Sequence, residues 1–144
     1  MSSMTPVRTT NNRILIVDDD PDFREFVRIV LESRGYQVLE AGSAPEGLAL
    51  MRDRAPALVL LDAMMSYELA GVGVIRTIRD DPALAGVPLI MISAVLSEDE
   101  DRFLPPDDRK LVDRFVSKPI TPDRLIAEVA RLLGGCQASE QEDS

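Results

Sequence analysis

Acid, hydroxyl and amine side chains stand where the aliphatic runs of this chain end. "ILIV" leads into Asp18, Asp19 and Asp20, "ALVLL" into Asp62, "LIMI" into Ser93, and "RFVS" into Lys118. If each run is a strand of one parallel sheet, these residues share the edge at which open α/β sheets bind ligands. Two carboxylates 4 Å apart repel by roughly 4 kcal/mol at an effective dielectric of about 20, so a cluster of acids costs stability until a cation joins it. Hard oxygen donors beside a crevice suit Mg²⁺, which takes one or two carboxylates together with waters and phosphate oxygens. With an ammonium and a hydroxyl nearby to hold phosphoryl oxygens, the set suits phosphoryl transfer. Each residue alone has a plainer role. Asp20 before Pro21 fits a helix N-cap, Asp62 a turn, Ser93 a loop hydroxyl, and Lys118 a solvated lysine before the turn forced by Pro119. The Met64–Met65 pair fits packing. Their joint placement at four strand ends is what points to a site.

The elements that must position them are legible as alternating patterns. "RILIV" (13–17), "YQVLEA" (36–41), "ALVLL" (57–61), "VPLIMIS" (87–93) and "DRFVS" (113–117) are short strands rich in aliphatic residues. Phe23, Phe26, Val27, Val30 and Leu31 recur at helical spacing after Pro21, and Gly35 ends that helix. Ser43 caps a helix over 44–54 with Leu48 and Met51 inward, and Val72, Ile75 and Ile78 mark a third. Thr121 caps a last helix that starts at Pro122 and turns Leu125, Val129, Leu132 and Leu133 inward. Strands alternating with amphipathic helices predict an α/β fold: a five-stranded parallel sheet, doubly wound with helices on both faces. Periodicity does not supply the strand order.

The 144 residues make about one domain, with a net charge of −9. Such an acidic chain is a poor non-specific nucleic-acid binder, because phosphate contacts need clustered Lys and Arg. The absence of histidine excludes His-ligated zinc and catalytic triads. The lone Cys136 forms no internal disulfide, which points to a reducing compartment. There is no signal-peptide pattern and no apolar run of about 18 residues, so the expectation is a cytoplasmic protein without membrane insertion. Residues 1–12 and the acidic 134–144 read as disordered flanks around a folded domain at 13–133.

Taken in order, "ILIVDDD", "LVLLDAMM", "LIMISA" and "FVSKPI" resemble the receiver domains of two-component response regulators, over essentially all of 13–133. The resemblance implies a flavodoxin-like, chemotaxis-receiver-like (βα)5 fold with strand order 2-1-3-4-5. It implies that Asp62 is the phospho-acceptor, taking a phosphoryl group from a sensor histidine kinase or a phosphotransfer protein. Asp18 and Asp19 match the acidic pair that holds Mg²⁺ with Asp62, and Met64 would add its backbone carbonyl. Ser93 matches the switch hydroxyl and is followed by the small Ala94. Lys118 would bind a phosphoryl oxygen, Pro119 matches a proline that is frequently cis, and Phe115 matches the aromatic switch. Such a protein is not an enzyme beyond its own phosphorylation and dephosphorylation, and it signals by docking on a downstream protein target. With no output module in the sequence, the expectation is a stand-alone receiver.

The chain also departs from the pattern. Ser66 stands where a proline is usual, and "SYELAG" (66–71) is about one residue long. Pro105-Pro106 limits any helix that starts near Ser97 to about Phe103, so 95–113 reads as a short helix and an irregular segment. That disturbs a face which receivers use for homodimer formation or target binding. Two alternatives compete. "DDDPD" resembles the motif of haloacid-dehalogenase-type phosphatases, with Asp18 as nucleophile and Asp20 as acid. Yet Asp22 stands where those enzymes place Thr or Val, no acidic pair follows the late strand, and Asp62 is left without a role. The other alternative is a receiver fold that docks without phosphorylation.

Overall fold

Five consecutive aliphatic side chains cannot face water, and the chain answers by burying whole strands. A computed structural model describes residues 12–63, 73–93 and 110–133. In it β1 (Arg13–Val17), β2 (Gln37–Ala41), β3 (Leu58–Asp62), β4 (Leu89–Ser93) and β5 (Arg114–Ser117) form one parallel sheet in the order β2-β1-β3-β4-β5. The helices among the described residues are α1 (Pro21–Glu32), α2 (Ala44–Arg54), α3 (Val74–Asp80) and α4 (Pro122–Leu132). The β4–β5 connection lies outside the described residues except for 110–113, and so does the short helix expected there. The same holds for Val72, Ala94, Ser66 with its loop, and all of 1–11 and 134–144.

The pleat sends successive side chains to opposite faces, so each buried strand feeds two cores. Ile14, Ile16, Leu58, Leu60, Ile90 and Ile92 pack under Val27 and Leu31 of α1 and Leu125 and Val129 of α4. Leu15, Val17, Val59, Leu61, Leu89 and Met91 pack under Leu48 and Met51 of α2 and Ile75 and Ile78 of α3. Helices on both faces are the doubly wound arrangement that the alternation predicts. The element ends differ from the sequence reading by a residue or two. Asp62 is the last residue of β3, one beyond the run 57–61, because the ladder runs on to pair it with Ile92, whereas Ser93 ends β4 as the run 87–93 has it and pairs with Ser117.

The caps set where the helices begin. Asp20 accepts from the Asp22 N–H at 3.0 Å, Ser43 from Glu46 at 3.3 Å and Thr121 from Arg124 at 3.1 Å, each with proline in the first turn. Asp20 is therefore a cap, as its plainer role had it. α1 stops at Glu32, earlier than Gly35; that glycine, at φ +92°, turns the chain so that the Tyr36 N–H bonds back to Leu31 at 3.2 Å.

Glu128 ties α4 to the sheet edge. Its carboxylate, 3% exposed, accepts from Arg114 of β5 at 2.7 and 2.9 Å and from Arg124 at 2.9 Å. The hydrogen bonds from Arg114 hold its pKa below the ordinary glutamate value against the opposing effect of burial, and those from Arg124 add to them. A depressed folded-state pKa contributes stability above the ordinary value that is lost as pH falls through the folded-state one. Glu128→Gln is expected to cost about 1–2 kcal/mol at neutral pH, moderated by the water-accessible guanidiniums. The gap from wild type should narrow below the ordinary value of 4.5; urea melts across pH would measure it, and a constant gap would deny the carboxylate this role. Gly47 of α2 gives a second test. A Cβ there would lie 2.8 Å from Val17 Cγ2 on β1. The helix-propensity gain of ~1 kcal/mol should lose to overpacking worth about 1–3 kcal/mol, so Gly47→Ala should lower the urea midpoint; an equal or higher midpoint would mean that α2 can step away from β1.

Candidate functional site

The sheet order reverses between β1 and β3: the chain first winds outward to β2, then returns past β1 to start β3. At such a switch point the loops after the two strands diverge and leave a crevice. β1 runs into Asp18, and β3 ends at Asp62 with Val17 and Leu61 side by side in register. One carboxylate oxygen from each of Asp18, Asp19 and Asp62 lies within 4.8 Å of the others. Asp18 is 1% exposed and Asp62 7%, whereas Asp19 is open to water.

The buried Asp18 is fully engaged. Its Oδ1 accepts from the Asp20 N–H at 2.9 Å, and its Oδ2 from Lys118 Nζ at 3.0 Å. Its backbone N–H donates to Ala41 at 3.0 Å, and its carbonyl accepts from Arg24 Nη1 at 2.7 Å. The carboxylate is a fixed anchor at the floor of the crevice. The phosphatase alternative, with Asp18 as nucleophile and Asp20 as acid, is disfavoured because Asp20 accepts from the Asp22 N–H as the cap of α1.

Lys118 arrives from the far side. β5 pairs with β4, and the Lys118 N–H donates to the Ser93 carbonyl at 2.7 Å. That bond fixes Lys118 beside Ser93, which is 2% exposed. The Lys118–Pro119 peptide is cis. The ammonium lies 4.3 Å from the centre of the Phe23 ring as well as on Asp18. Phe115, opposite Met91 in the ladder, is half-buried against the core on the α2–α3 side. Met64 falls outside the described residues.

With all four groups charged, three carboxylates and one ammonium leave two negative charges in the crevice. Hard oxygen donors with that excess fit a divalent cation such as Mg²⁺. Asp18, Asp19 and Asp62 are the described residues able to hold it.

Two contributors escaped the sequence reading. Arg24, one turn into α1, holds the Asp18 carbonyl and pairs with Glu40, which also binds Arg28. A cation near a helix N-terminus opposes the helix dipole, and that mismatch was the available signal. Phe23, which recurs at helical spacing, is partly buried against the core below α1 and also lines, with Phe26, Lys118, Pro119 and Ile120, a groove of about 530 Å³.

Residues 14–130 match the family model for the response regulator receiver domain. The chain is 38% identical over 125 residues to the DNA-binding response regulator MtrA of Mycolicibacterium smegmatis, covering 86% of this chain and 52% of that protein. It is 33% identical over 126 residues to the phosphate regulon transcriptional regulatory protein PhoB of Pseudomonas aeruginosa, covering 83% and 51%. The chain thus spans about half the length of these curated relatives. Among solved structures, the receiver domain of NtrX from Brucella abortus superposes with a TM-score of 0.71 at 31% identity, covering 84% of this chain and 98% of that one. A CheY-like receiver domain protein from Methanospirillum hungatei gives 0.72 at 27%, covering 87% and 95%. No helix among the described residues is long and apolar enough to cross a membrane. The match over 14–130 and the 2-1-3-4-5 sheet agree: the chain belongs to the response regulator receiver domain family of two-component signalling.

Proposed function

We propose that Asp62 accepts a phosphoryl group from the phosphohistidine of a sensor histidine kinase or phosphotransfer protein, and that the change of charge resets a protein-docking surface. The observation that carries this is the meeting of Asp18, Asp19 and Asp62 in one crevice, with Lys118 bound to the buried member. In the transfer an Asp62 carboxylate oxygen attacks phosphorus, the O–P bond of an acyl phosphate forms, and the P–N bond of the donor breaks. The imidazole leaves with its electron pair and takes a proton from water. Mg²⁺ bound there would offset the negative charge on the phosphoryl oxygens. Asp18 and Asp19 would hold the metal, and Met64 would add a backbone carbonyl. Asp18 also keeps Lys118 aimed into the crevice until the phosphoryl oxygens arrive.

Phosphorylation replaces about one negative charge with nearly two and adds strong acceptors. Lys118 and Ser93 would gain charge-assisted hydrogen bonds to them. Movement of Ser93 toward the new group would make room for Phe115 to turn inward, shifting the population between two packings of one surface. The relatives MtrA and PhoB are DNA-binding or transcriptional regulators over about twice this length. For this chain, a net charge of −9 favours output through a protein target over direct nucleic-acid contact. The kinase or phosphotransfer partner supplies the phosphoryl group, and the reset surface would serve a protein target or a second copy of this chain.

Incubation with Mg²⁺ and acetyl phosphate, read by intact mass, tests it. Wild type should gain one phosphoryl group and Asp62→Asn none, with little change in stability. Label retained in Asp62→Asn would move the acceptor to another residue and overturn the assignment.

A further inference from the structure

The ammonium of Lys118 meets two partners. It donates to Asp18 Oδ2 at 3.0 Å, and the centre of the Phe23 ring lies 4.3 Å from Nζ. A cation over an aromatic face is attracted by the ring quadrupole. Phe23 sits in the first turn of α1, directly after the acidic loop, and Lys118 sits directly after β5. The contact therefore joins two of the loops that build the site. Phe23 is partly buried against the core and reaches the groove with its remaining surface, so its ring both packs and meets the ammonium.

We propose that Phe23 is a positioning residue for Lys118: its ring keeps the ammonium turned toward the acidic crevice instead of outward to water. This rests on the proposed phosphoryl acceptance at Asp62. Leucine at position 23 would keep an apolar side chain but remove the quadrupole, and tyrosine would keep the ring. Exposed cation–π contacts correspond to about two- to fivefold in a rate or equilibrium.

The test is a double-mutant cycle on the full chain: wild type, Phe23→Leu, Lys118→Met and the double variant. Each is labelled with acetyl phosphate at saturating Mg²⁺. A small donor is used so that loss of protein docking at the groove is not what is read. Phe23→Leu should slow labelling about two- to fivefold with Lys118 present and should have no further effect with Met there; Phe23→Tyr should restore the rate. An equal loss in both backgrounds, or no loss in either, overturns the proposal. NMR gives a readout independent of activity. The Lys118 ε-methylene protons should be shifted upfield by the ring current in wild type and Phe23→Tyr, and should return to ordinary values in Phe23→Leu. Ordinary values in wild type would also overturn the proposal. If no variant carried label on Asp62, the phosphoryl-acceptor reading would fail while the NMR comparison still decided the contact.

Discussion

The structure depends on a burial that has to be neutralised: the Asp18 carboxylate, after a strand buried from Ile14 to Val17 and close to two other acids. Burying a charge is costly unless it is paired and hydrogen-bonded. Here one oxygen is met by a backbone N–H at the start of α1, and the other by an ammonium from one hundred residues away. Each partner is placed by its backbone. The N–H belongs to the loop that Asp20 caps into α1, and Lys118 is tied to β4 through the Ser93 carbonyl. The floor of the crevice is therefore rigid, whereas Asp19 at its rim is open to solvent.

That rigidity is inherited from the sheet. β3 and β4 are buried along their whole length, and each strand feeds a core on either face. Such a slab holds its C-terminal edge fixed. Displacements made there are passed to the helices, because a close-packed interior transmits strain rather than absorbing it. At the outer strand, Glu128 and its two arginines fasten α4 to β5, the strand that carries both Phe115 and the approach to Lys118. A change felt by Lys118 is thus adjacent to an element held by charged hydrogen bonds, a natural route from the crevice to the surface.

Much of this was legible before the structure. Short aliphatic runs separated by 3.6-residue periodicity gave the parallel sheet, and the polar residue closing each run gave the edge at which Asp18, Asp62, Ser93 and Lys118 meet. Helix starts were legible from Ser43, Thr121 and Asp20, because caps and N1 prolines are local chemistry. The contacts of Arg24, Phe23 and Glu128 were not. A phenylalanine at helical spacing gives no sign of the ammonium it also meets, and a glutamate among inward-facing aliphatics looks like a solvated interruption. Their partners lie far away in sequence, and only the folded geometry names them. Strand order came with the family resemblance and not from periodicity, which is indifferent to which strand lies beside which.

The proposal that the crevice binds a divalent cation rests on the three converging carboxylates of Asp18, Asp19 and Asp62. Its most direct test is equilibrium unfolding of wild type and Asp19→Asn with and without Mg²⁺. Without the metal, removing one negative charge should leave Asp19→Asn at least as stable as wild type. With Mg²⁺ at about one hundred times its dissociation constant, wild type should gain about 2.7 kcal/mol by linkage and overtake a variant that gains much less. A wild type indifferent to Mg²⁺, or an Asp19→Asn variant that is the less stable one without it, would contradict the claim.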